Sequence, residues 1–239
     1  MKTKKTNDPM GSAIKAYFEK GRAAKLRVFS PMFDEDEIPV KMLFRKENEM
    51  PSIERKALSM ARGRTLDVGA GAGCHSLVLQ QRGTDVTAID ISPLSVETMK
   101  LRGVKEVKQQ DFFEVDECFD TILMLMNGIG IVGRLQRMPL FFRLLDRILA
   151  PGGQLLCDSS DICYVFENED GEMLFPEGDG YYGELTYQMQ YDDVKGETFP
   201  WLYIDAETLR ACAEACGYQV EVVQQGEHYD YLARITKKR

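Results

Sequence analysis

Thr65-Leu-Asp67-Val-Gly69-Ala70-Gly71-Ala-Gly73-Cys74 is the stretch of sequence that decides the fold of this chain. A short apolar run leads into three alternating glycines, and a helical pattern begins near His75. Glycine lets the backbone approach a ligand closely, and the amides at the start of the following helix face that ligand. The stretch therefore predicts a strand, a ligand-binding turn and a helix at one edge of an α/β sheet.

The segments around this turn alternate between strand and helix patterns. Further strands are predicted at residues 85–90, 104–108, 119–126, after 153, 218–223 and 229–235, and helices at 94–102, 139–149 and 206–216. The run at 121–126 is apolar throughout, which is typical of a central strand that is covered on both faces. This order predicts a doubly wound, mostly parallel sheet with helices on both faces.

Two further segments lie outside this alternation. We interpret residues 1–62 as an N-terminal helical extension, with helices at 13–27 and after Pro51, and residues 63–239 as the main domain. Glycines and an alternation of polar with apolar residues predict a small antiparallel flap inserted at about 164–204.

Composition narrows the class of protein. The 239 residues carry a net charge of −8, which argues against a nucleic-acid partner because phosphates are bound by Lys and Arg. The basic N-terminal segment is interpreted as a solvated helix face rather than a phosphate-binding arm. No apolar run approaches the roughly 20 residues that span a bilayer, and no secretory signal is recognised. We therefore expect a cytoplasmic protein without a membrane partner.

The cysteines and histidines do not predict a metal site. Six cysteines are scattered over the chain, which favours free thiols in a reducing compartment over a disulfide framework. Cys212 and Cys216 lie one helical turn apart, and with His228 they form the nearest approach to a ligand set. On a helix such a pair more often behaves as two small apolar residues, so we expect no metal.

Two carboxylates define what the glycine turn binds. Asp67 lies just before the glycines, where a negative charge would repel a phosphate and attract a cationic group. Asp90 follows the next strand, about 20 residues after the first glycine, where a carboxylate accepts both hydrogens of a ribose diol. The nicotinamide fingerprint G-x-G-x-x-G would require glycine where this chain has Cys74, which disfavours a nicotinamide-dependent oxidoreductase.

The motifs together resemble the class I S-adenosylmethionine-dependent methyltransferases, over roughly residues 65–159. Asp67 to Gly73 looks like the first motif of that family, and Asp90 matches its ribose-binding acid. Gln110-Asp111-Phe112 is similar to the third motif, and the segment from Phe119 to Met124 with Asn127-Gly128 is similar to the fourth. Leu149-Ala-Pro-Gly152-Gly153 resembles the turn that follows.

The resemblance implies a seven-stranded sheet with an antiparallel last strand, and S-adenosylmethionine as the cofactor. It implies that the first-motif residues hold the methionine end, that Asp111 receives the adenine amino group, and that Phe112 lies by the base. The cofactor-binding residues that it implies are Asp67, Gly69, Ala70, Gly71, Gly73, Asp90, Ile91, Asp111, Phe112, Met126 and Asn127.

The acceptor is harder to read than the donor, because methyl transfer needs mainly alignment and, for some acceptors, removal of a proton. Asn127-Gly128-Ile-Gly130 departs from the Asn/Asp-Pro-Pro-aromatic motif of methyltransferases that act on nucleic-acid bases. With the acidic charge, this predicts a small-molecule acceptor. A non-catalytic module that binds the donor or its demethylated product is the alternative, and a homodimer is compatible with the sequence.

Candidate acceptor residues follow from topology, since ligands gather at the carboxyl ends of parallel strands. We expect Asn127, Asp158, Asp161 and Tyr164 to face the acceptor, and Tyr181, Tyr182 and residues 199–203 to close over it. No catalytic residue is identified from the sequence, and the weak candidates are Asp158, His75 and Tyr164.

Overall fold

The computed structural model describes residues 7–168, 170–175 and 180–238. The helices of this part are α1 (Pro9–Lys20), α2 (Ser52–Met60), α3 (Cys74–Gln81), α4 (Pro93–Leu101), α5 (Met138–Ile148) and α6 (Ala206–Ala215). The strands are β1 (Leu26–Phe29), β2 (Asp36–Ile38), β3 (Thr65–Val68), β4 (Val86–Asp90), β5 (Glu106–Gln109), β6 (Phe119–Met124), β7 (Leu149–Ser160), β8 (Glu184–Tyr191), β9 (Val194–Leu202), β10 (Tyr218–Gln225) and β11 (Asp230–Lys237). Short 3-10 helices lie at Val40–Phe44, Glu47–Glu49, Phe112–Glu114, Gly128–Val132, Leu135–Arg137 and Cys163–Phe166.

Seven strands form the main sheet in the order β10-β11-β7-β6-β3-β4-β5. β4 pairs with β5 in parallel, and so does β6 with β7. β11 runs antiparallel to both of its neighbours, β7 and β10. The predicted fold class is confirmed, including the seven strands and the antiparallel last strand.

A second sheet of four strands has the order β2-β1-β8-β9. β1 pairs antiparallel with β2 and with β8, so that Leu26 lies opposite both Ile38 and Tyr191. The predicted antiparallel flap corresponds to β8 and β9, but it is joined to strands from the N-terminal segment. The helical interpretation of residues 13–27 is therefore wrong at its end, because α1 stops at Gly21 in a left-handed conformation and a strand begins at Leu26.

The described residues fall into two compact units. One contains the N-terminal residues to Met50, Leu66–Val115 and Thr186–Phe199, and the other contains Pro51–Thr65, Asp116–Leu185 and Pro200–Arg239 up to residue 238. The boundary predicted between residues 62 and 63, and the lid role of the N-terminal extension, stay predictions.

The first unit has two apolar clusters. One joins α4 to β4 and the glycine turn through the buried residues Ala70, Ala88, Val96, Met99 and Val104. The other packs α1 against the four-stranded sheet through Ala13, Leu26, Val40 and Tyr191. α1 is thereby held in place by apolar burial, which is the main source of helix stability in proteins.

The second unit buries one face of α5. Phe141, Phe142, Leu145 and Ile148 recur at helical spacing and are buried, while Leu140 on the other face is 42% exposed. The Phe142 ring lies 5.0 Å from the ring of Tyr218, measured between centroids. This packing fixes α5 against the start of β10.

Helix starts follow local rules that the sequence already contained. Asp8, Ser92 and Asp205 precede α1, α4 and α6, and each side chain accepts a hydrogen bond from an amide of the first helical turn. Proline occupies the first helical position after Asp8 and Ser92, where its missing N–H costs nothing.

Basic residues near the N-terminus are paired with carboxylates at the surface. The basic residues Lys15, Lys25 and Arg27 form ion pairs with Glu97, Glu37 and Glu35. Across residues 7–168, 170–175 and 180–238, the helices are all too short or too polar to cross a membrane.

Phe142→Ala tests the packing of α5. Removing a fully buried ring leaves a cavity, so we expect the free energy of unfolding to fall by about 3–5 kcal/mol. The control Leu140→Ala changes an exposed side chain of the same helix, and its cost should stay within about 0.5 kcal/mol. Urea denaturation monitored by circular dichroism measures the free energy of unfolding of both variants. Equal losses would contradict the burial of this face of α5.

Candidate functional site

The glycine turn of the first unit is an open cradle. Gly69, Gly71 and Gly73 have φ angles of 65°, 57° and 79°, in the left-handed region that favours glycine. A Cβ built on Gly71 would meet its nearest neighbour, Ile14 Cδ1, at 3.9 Å, so no protein atom crowds that position. Backbone hydrogen bonds fix the turn, because Ala70 N donates to Ile89 O at 3.0 Å and Gly73 N to Ala70 O at 2.7 Å.

Asp67 is a buried carboxylate beneath this turn. It is 1% exposed, and its Oδ2 accepts a hydrogen bond from Ser76 Oγ at 2.5 Å. Burial raises the pKa of Asp67, while the nearby His75 and the hydrogen bonds from Ser76 oppose that shift. His75, a weak catalytic candidate, is itself 5% exposed in the first turn of α3 and acts electrostatically on Asp67.

Asp90 connects the end of β4 to the glycine turn. Its Oδ2 accepts a hydrogen bond from Gly71 N at 2.8 Å, and its Oδ1 accepts one from Ser92 N at 2.8 Å. Burial, with smaller contributions from the charges of Asp8 and Asp67, raises the pKa of Asp90 to about 6, although these two hydrogen bonds lower it. The two backbone donors leave the carboxylate fixed in orientation and still able to accept further hydrogen bonds.

The third-motif residues follow β5. Gln110 N donates to Asp90 O at 3.1 Å, which places the segment beside β4. Asp111 is exposed and accepts a hydrogen bond from Phe113 N at 2.8 Å through Oδ1. Phe112 is 3% exposed, whereas Ile91 is 71% exposed. The structure thus gathers Asp67, the glycine turn, Asp90 and the third motif within the first unit.

In the second unit, Met126 and Asn127 form a strained turn after β6. Their φ angles are 63° and 55°, which non-glycine residues seldom adopt and which tend to mark functional sites. Asn127 N donates to Asp158 Oδ2 at 2.9 Å, and Asn127 Oδ1 accepts from Ser159 Oγ at 3.0 Å. Ser159 Oγ in turn accepts from Ile204 N at 3.0 Å. Asp158 is 7% exposed, so its first role is to hold this turn.

A cluster of two tyrosines and two aspartates lies in the same unit; we call it the tyrosine–aspartate cluster. Tyr181 Oη donates to Asp205 Oδ2 at 2.6 Å, and Tyr182 Oη donates to Asp161 Oδ1 at 2.7 Å. The two rings are 4.5 Å apart, and Phe175 lies 5.2 Å from Tyr182. Of the residues expected to close over an acceptor, these two tyrosines are therefore brought together.

The charges in this cluster are settled by its hydrogen bonds. Burial and the neighbouring Asp205 raise the pKa of Tyr181, and burial together with Tyr181 and Asp161 raises that of Tyr182. Burial alone would raise the pKa of Asp205, but hydrogen bonds from Thr208 and Tyr181 outweigh it and lower that pKa. The tyrosines consequently stay neutral near pH 7 and the Asp205 carboxyl stays ionised.

Tyr164, another candidate, is 43% exposed and stacks on Tyr229 with a centroid distance of 4.7 Å. It is not one of the four residues that form the tyrosine–aspartate cluster. Among the described residues, no group of three or more His, Cys, Asp or Glu side chains is arranged to hold a metal ion.

Sequence reasoning missed four residues that hold these sites: Asp8, Ser76, Ser92 and Ser159. The Asp8-Pro9 and Ser92-Pro93 pairs carry the signature of a helix start, so their capping roles were readable. The further hydrogen bonds of Ser76 to Asp67 and of Ser159 to Asn127 have no local signal, because each joins residues from different elements.

Comparison with known proteins places this geometry in context. A family model described as a methyltransferase domain matches residues 42–223. The crystal structure of an S-adenosylmethionine-dependent methyltransferase from Bacteroides fragilis, in complex with S-adenosyl-L-homocysteine, is 55% identical with a TM-score of 0.93, and the match covers 99% of this chain and 98% of that one.

More distant proteins share less. A ubiquinone biosynthesis O-methyltransferase from Xanthomonas oryzae pv. oryzae (strain PXO99A) is 26% identical over 167 residues, which cover 60% of this chain and 70% of that protein. The CcbJ methyltransferase from Streptomyces caelestis is 11% identical with a TM-score of 0.63 over 98% of this chain and 100% of that one, which supports the fold alone.

Asp158→Ala tests the support of the strained turn. It removes the acceptor of Asn127 N and leaves a partly buried N–H without it, so we expect a loss of about 1–3 kcal/mol in the free energy of unfolding. Asp158→Asn keeps an oxygen at that place and should lose less. Urea denaturation of the two variants decides: an equal loss in both would mean that the charge, and not the hydrogen bond, supports the turn.

Proposed function

Given that the chain belongs to the methyltransferase domain family and is an S-adenosylmethionine-dependent methyltransferase, we propose that it methylates a small molecule and that the residues around the glycine turn hold the donor. The family, the enzyme class and the cofactor that the motifs predicted are confirmed by the family model and by the 55% identical relative. The acceptor and the site residues are our proposal.

The residues of the first unit fit S-adenosylmethionine. Gly71 leaves open space that a side chain would fill. Asp67 lies beneath the turn, and although burial raises its pKa, Ser76 and His75 favour its ionised form, which suits a cationic amine. The donor brings a methyl group already activated by the sulfonium charge. The residues of this unit proposed to bind it are Asp67, Gly69, Ala70, Gly71, Gly73, Asp90, Ile91, Asp111 and Phe112. Met126 and Asn127, which the family resemblance also implies, belong to the second unit, and their part in binding the donor stays a prediction.

One observation carries the proposal: the half-buried carboxylate of Asp90 is fixed by hydrogen bonds from two backbone N–H groups. A carboxylate held in this way can accept the two hydroxyl hydrogens of a ribose. Because its side chain is already ordered, binding does not incur the entropy cost of fixing it. The same carboxylate beside a glycine turn would also suit a nicotinamide dinucleotide, but Cys74 stands where its third glycine would be needed, and it is 4% exposed in α3.

For the acceptor, the support comes from the second unit. The tyrosine–aspartate cluster offers two aromatic faces and fixed carboxylates, which suits a small polar acceptor rather than a nucleic-acid backbone. Neutral tyrosines near pH 7 are not bases, and the lowered pKa of Asp205 makes it a weak one. Where an acceptor must lose a proton, we propose Asp158 as the group that takes it.

The experiment that tests this function combines binding and turnover. Calorimetry with S-adenosylmethionine, S-adenosylhomocysteine and NAD is run on the natural chain, on Asp90→Ala and on the control Asp85→Ala, which changes an exposed carboxylate just before β4. Mass spectrometry then searches a panel of small amines, phenols and acids for a gain of one methyl group.

We expect both adenosyl compounds to bind, NAD not to bind, and Asp90→Ala to weaken binding at least about 100-fold while Asp85→Ala binds normally. Undiminished binding by Asp90→Ala would refute the assigned donor site. Methylation of protein or RNA without any small-molecule product would refute the acceptor class, and tight binding without turnover would favour the non-catalytic module.

The pH dependence of donor binding offers a further prediction. Because burial raises the pKa of Asp90 to about 6, its carboxyl becomes protonated as the pH falls through that value and loses its capacity to accept both ribose hydroxyls. We expect the Kd of S-adenosylhomocysteine to rise about 10-fold between pH 8 and pH 5. The side chain of Asp90→Asn does not ionise in this pH range. Its binding should be weaker than that of the natural chain and should not change between pH 8 and pH 5 for this reason. A flat profile for the natural chain would show that the ionisation of Asp90 does not govern binding.

A further inference from the structure

The start of α1 is hydrogen-bonded to the segment that follows Asp90. Asp8 Oδ2 accepts a hydrogen bond from Ser92 Oγ at 2.6 Å, although the two residues are 84 positions apart. Asp8 Oδ1 at the same time accepts from Gly11 N at 2.8 Å and so begins α1. One carboxylate therefore holds both the first turn of the helix and the side chain of Ser92.

Ser92 passes this constraint on to Asp90. It is 7% exposed, its hydroxyl caps α4 by accepting from Ser95 N at 2.9 Å, and its own N–H donates to Asp90 Oδ1. A serine whose hydroxyl is held from two sides has little freedom to turn its backbone N–H away. The chain of hydrogen bonds Asp8–Ser92–Asp90–Gly71 thus runs from α1 to the glycine turn.

Gly11 leaves the space that the Asp8–Ser92 bond needs. A Cβ at position 11 would lie 2.2 Å from Ser92 Oγ and 2.3 Å from Asp8 Oδ2, closer than non-bonded atoms can approach. Helix propensity favours alanine over glycine inside a helix, so α1 gives up some intrinsic stability here. The absence of a side chain at Gly11 is explained by this contact, since its φ angle does not require glycine.

We infer that Asp8 and Ser92 are positioning residues for the donor-binding carboxylate of Asp90, so that docking of α1 and affinity for the donor are linked. The inference rests on the proposed donor site. Linkage is reciprocal, so a bound donor must stabilise the docked α1 to the same extent that the docked helix improves donor affinity. Lys15, which pairs with Glu97 of α4 at 2.9 Å, provides a second and solvent-exposed tie.

Gly11→Ala is the sharpest test, because it raises the helix propensity of α1 while forcing Asp8 and Ser92 apart. If α1 has a purely structural role, Gly11→Ala changes at most the stability of the protein and leaves the Kd of the donor unchanged. The positioning role predicts that the Kd of S-adenosylhomocysteine rises about 10-fold. The matched control is Ser12→Ala in the same turn, because Ser12 Oγ donates to the backbone oxygen of Asp8 and not to its carboxylate. The Kd of this variant should stay unchanged.

Two variants of Asp8 test the hydrogen bond without a steric change. Asp8→Ala removes the acceptor and should weaken donor binding as Gly11→Ala does. Asp8→Asn keeps an oxygen for Gly11 N, and its amide can donate to the rotatable hydroxyl of Ser92, so binding should largely recover. Thermal unfolding without ligand shows whether Gly11→Ala folds. If it does not fold, the comparison of Asp8→Ala with Asp8→Asn still tests the inference.

Hydrogen exchange in α1, measured with and without ligand, distinguishes the positioning role from a purely structural one. S-adenosylhomocysteine should slow amide exchange across residues 9–20 in the natural chain and in Ser12→Ala, and should do so much less in Gly11→Ala. Unchanged Kd values in both Gly11→Ala and Asp8→Ala, or ligand protection that persists in Gly11→Ala, would overturn the inference. Asp90→Ala in the same assay separates the two proposals: if it still binds the donor, the donor site is wrong, and if only it loses binding, the linkage to α1 is wrong.

Discussion

A half-buried carboxylate that is held by backbone amides is the constraint around which the first unit is arranged. Asp90 stands at the end of β4, and burial alone disfavours its charge. The N–H groups of Gly71 and Ser92 offset part of that cost, and they do so only while the glycine turn and the start of α4 keep their places. The carboxylate and the turn therefore fix each other, and a ligand that satisfies the remaining acceptor capacity is favoured.

The surrounding elements serve this arrangement. Left-handed glycines allow the turn to fold tightly next to Asp90, and Ser76 holds the neighbouring carboxylate of Asp67. α1 adds a more distant constraint, because Asp8, the residue that caps its first turn, holds Ser92. By the linkage that we infer, α1 supports donor binding although it contributes none of the residues of the glycine motif.

In the second unit, too, hydrogen bonds with polar side chains hold a strained turn in place. The left-handed conformations of Met126 and Asn127 are costly for residues with side chains, and they persist because Asp158 and Ser159 hold Asn127 from two directions. In the tyrosine–aspartate cluster, each carboxylate likewise holds a phenol hydroxyl and keeps it neutral near pH 7. Polar side chains here fix geometry first, and that is what methyl transfer requires of a protein.

The sequence by itself determined the elements whose signals are local. Patterns of period 2 and period 3.6 located the strands of the main sheet and the helices between them. The alternating glycines located the turn, and Asp205 located the start of α6. Spacing from the glycines was enough to single out Asp90, because one helix and one short strand after the turn together take about 20 residues in folds of this kind. The family resemblance supplied the cofactor from the same residues.

Only the tertiary structure decided the contacts between distant segments. The first two residues of β1 lie in the segment predicted as a helix, and β1 forms by pairing with β8, more than 150 residues further along the chain. The pairs Asp8–Ser92 and Asn127–Ser159 could not be inferred from either residue alone. The physical reason is that a local pattern depends on neighbours along the chain, whereas a hydrogen bond between elements depends on which side chains the packed fold brings within about 3 Å.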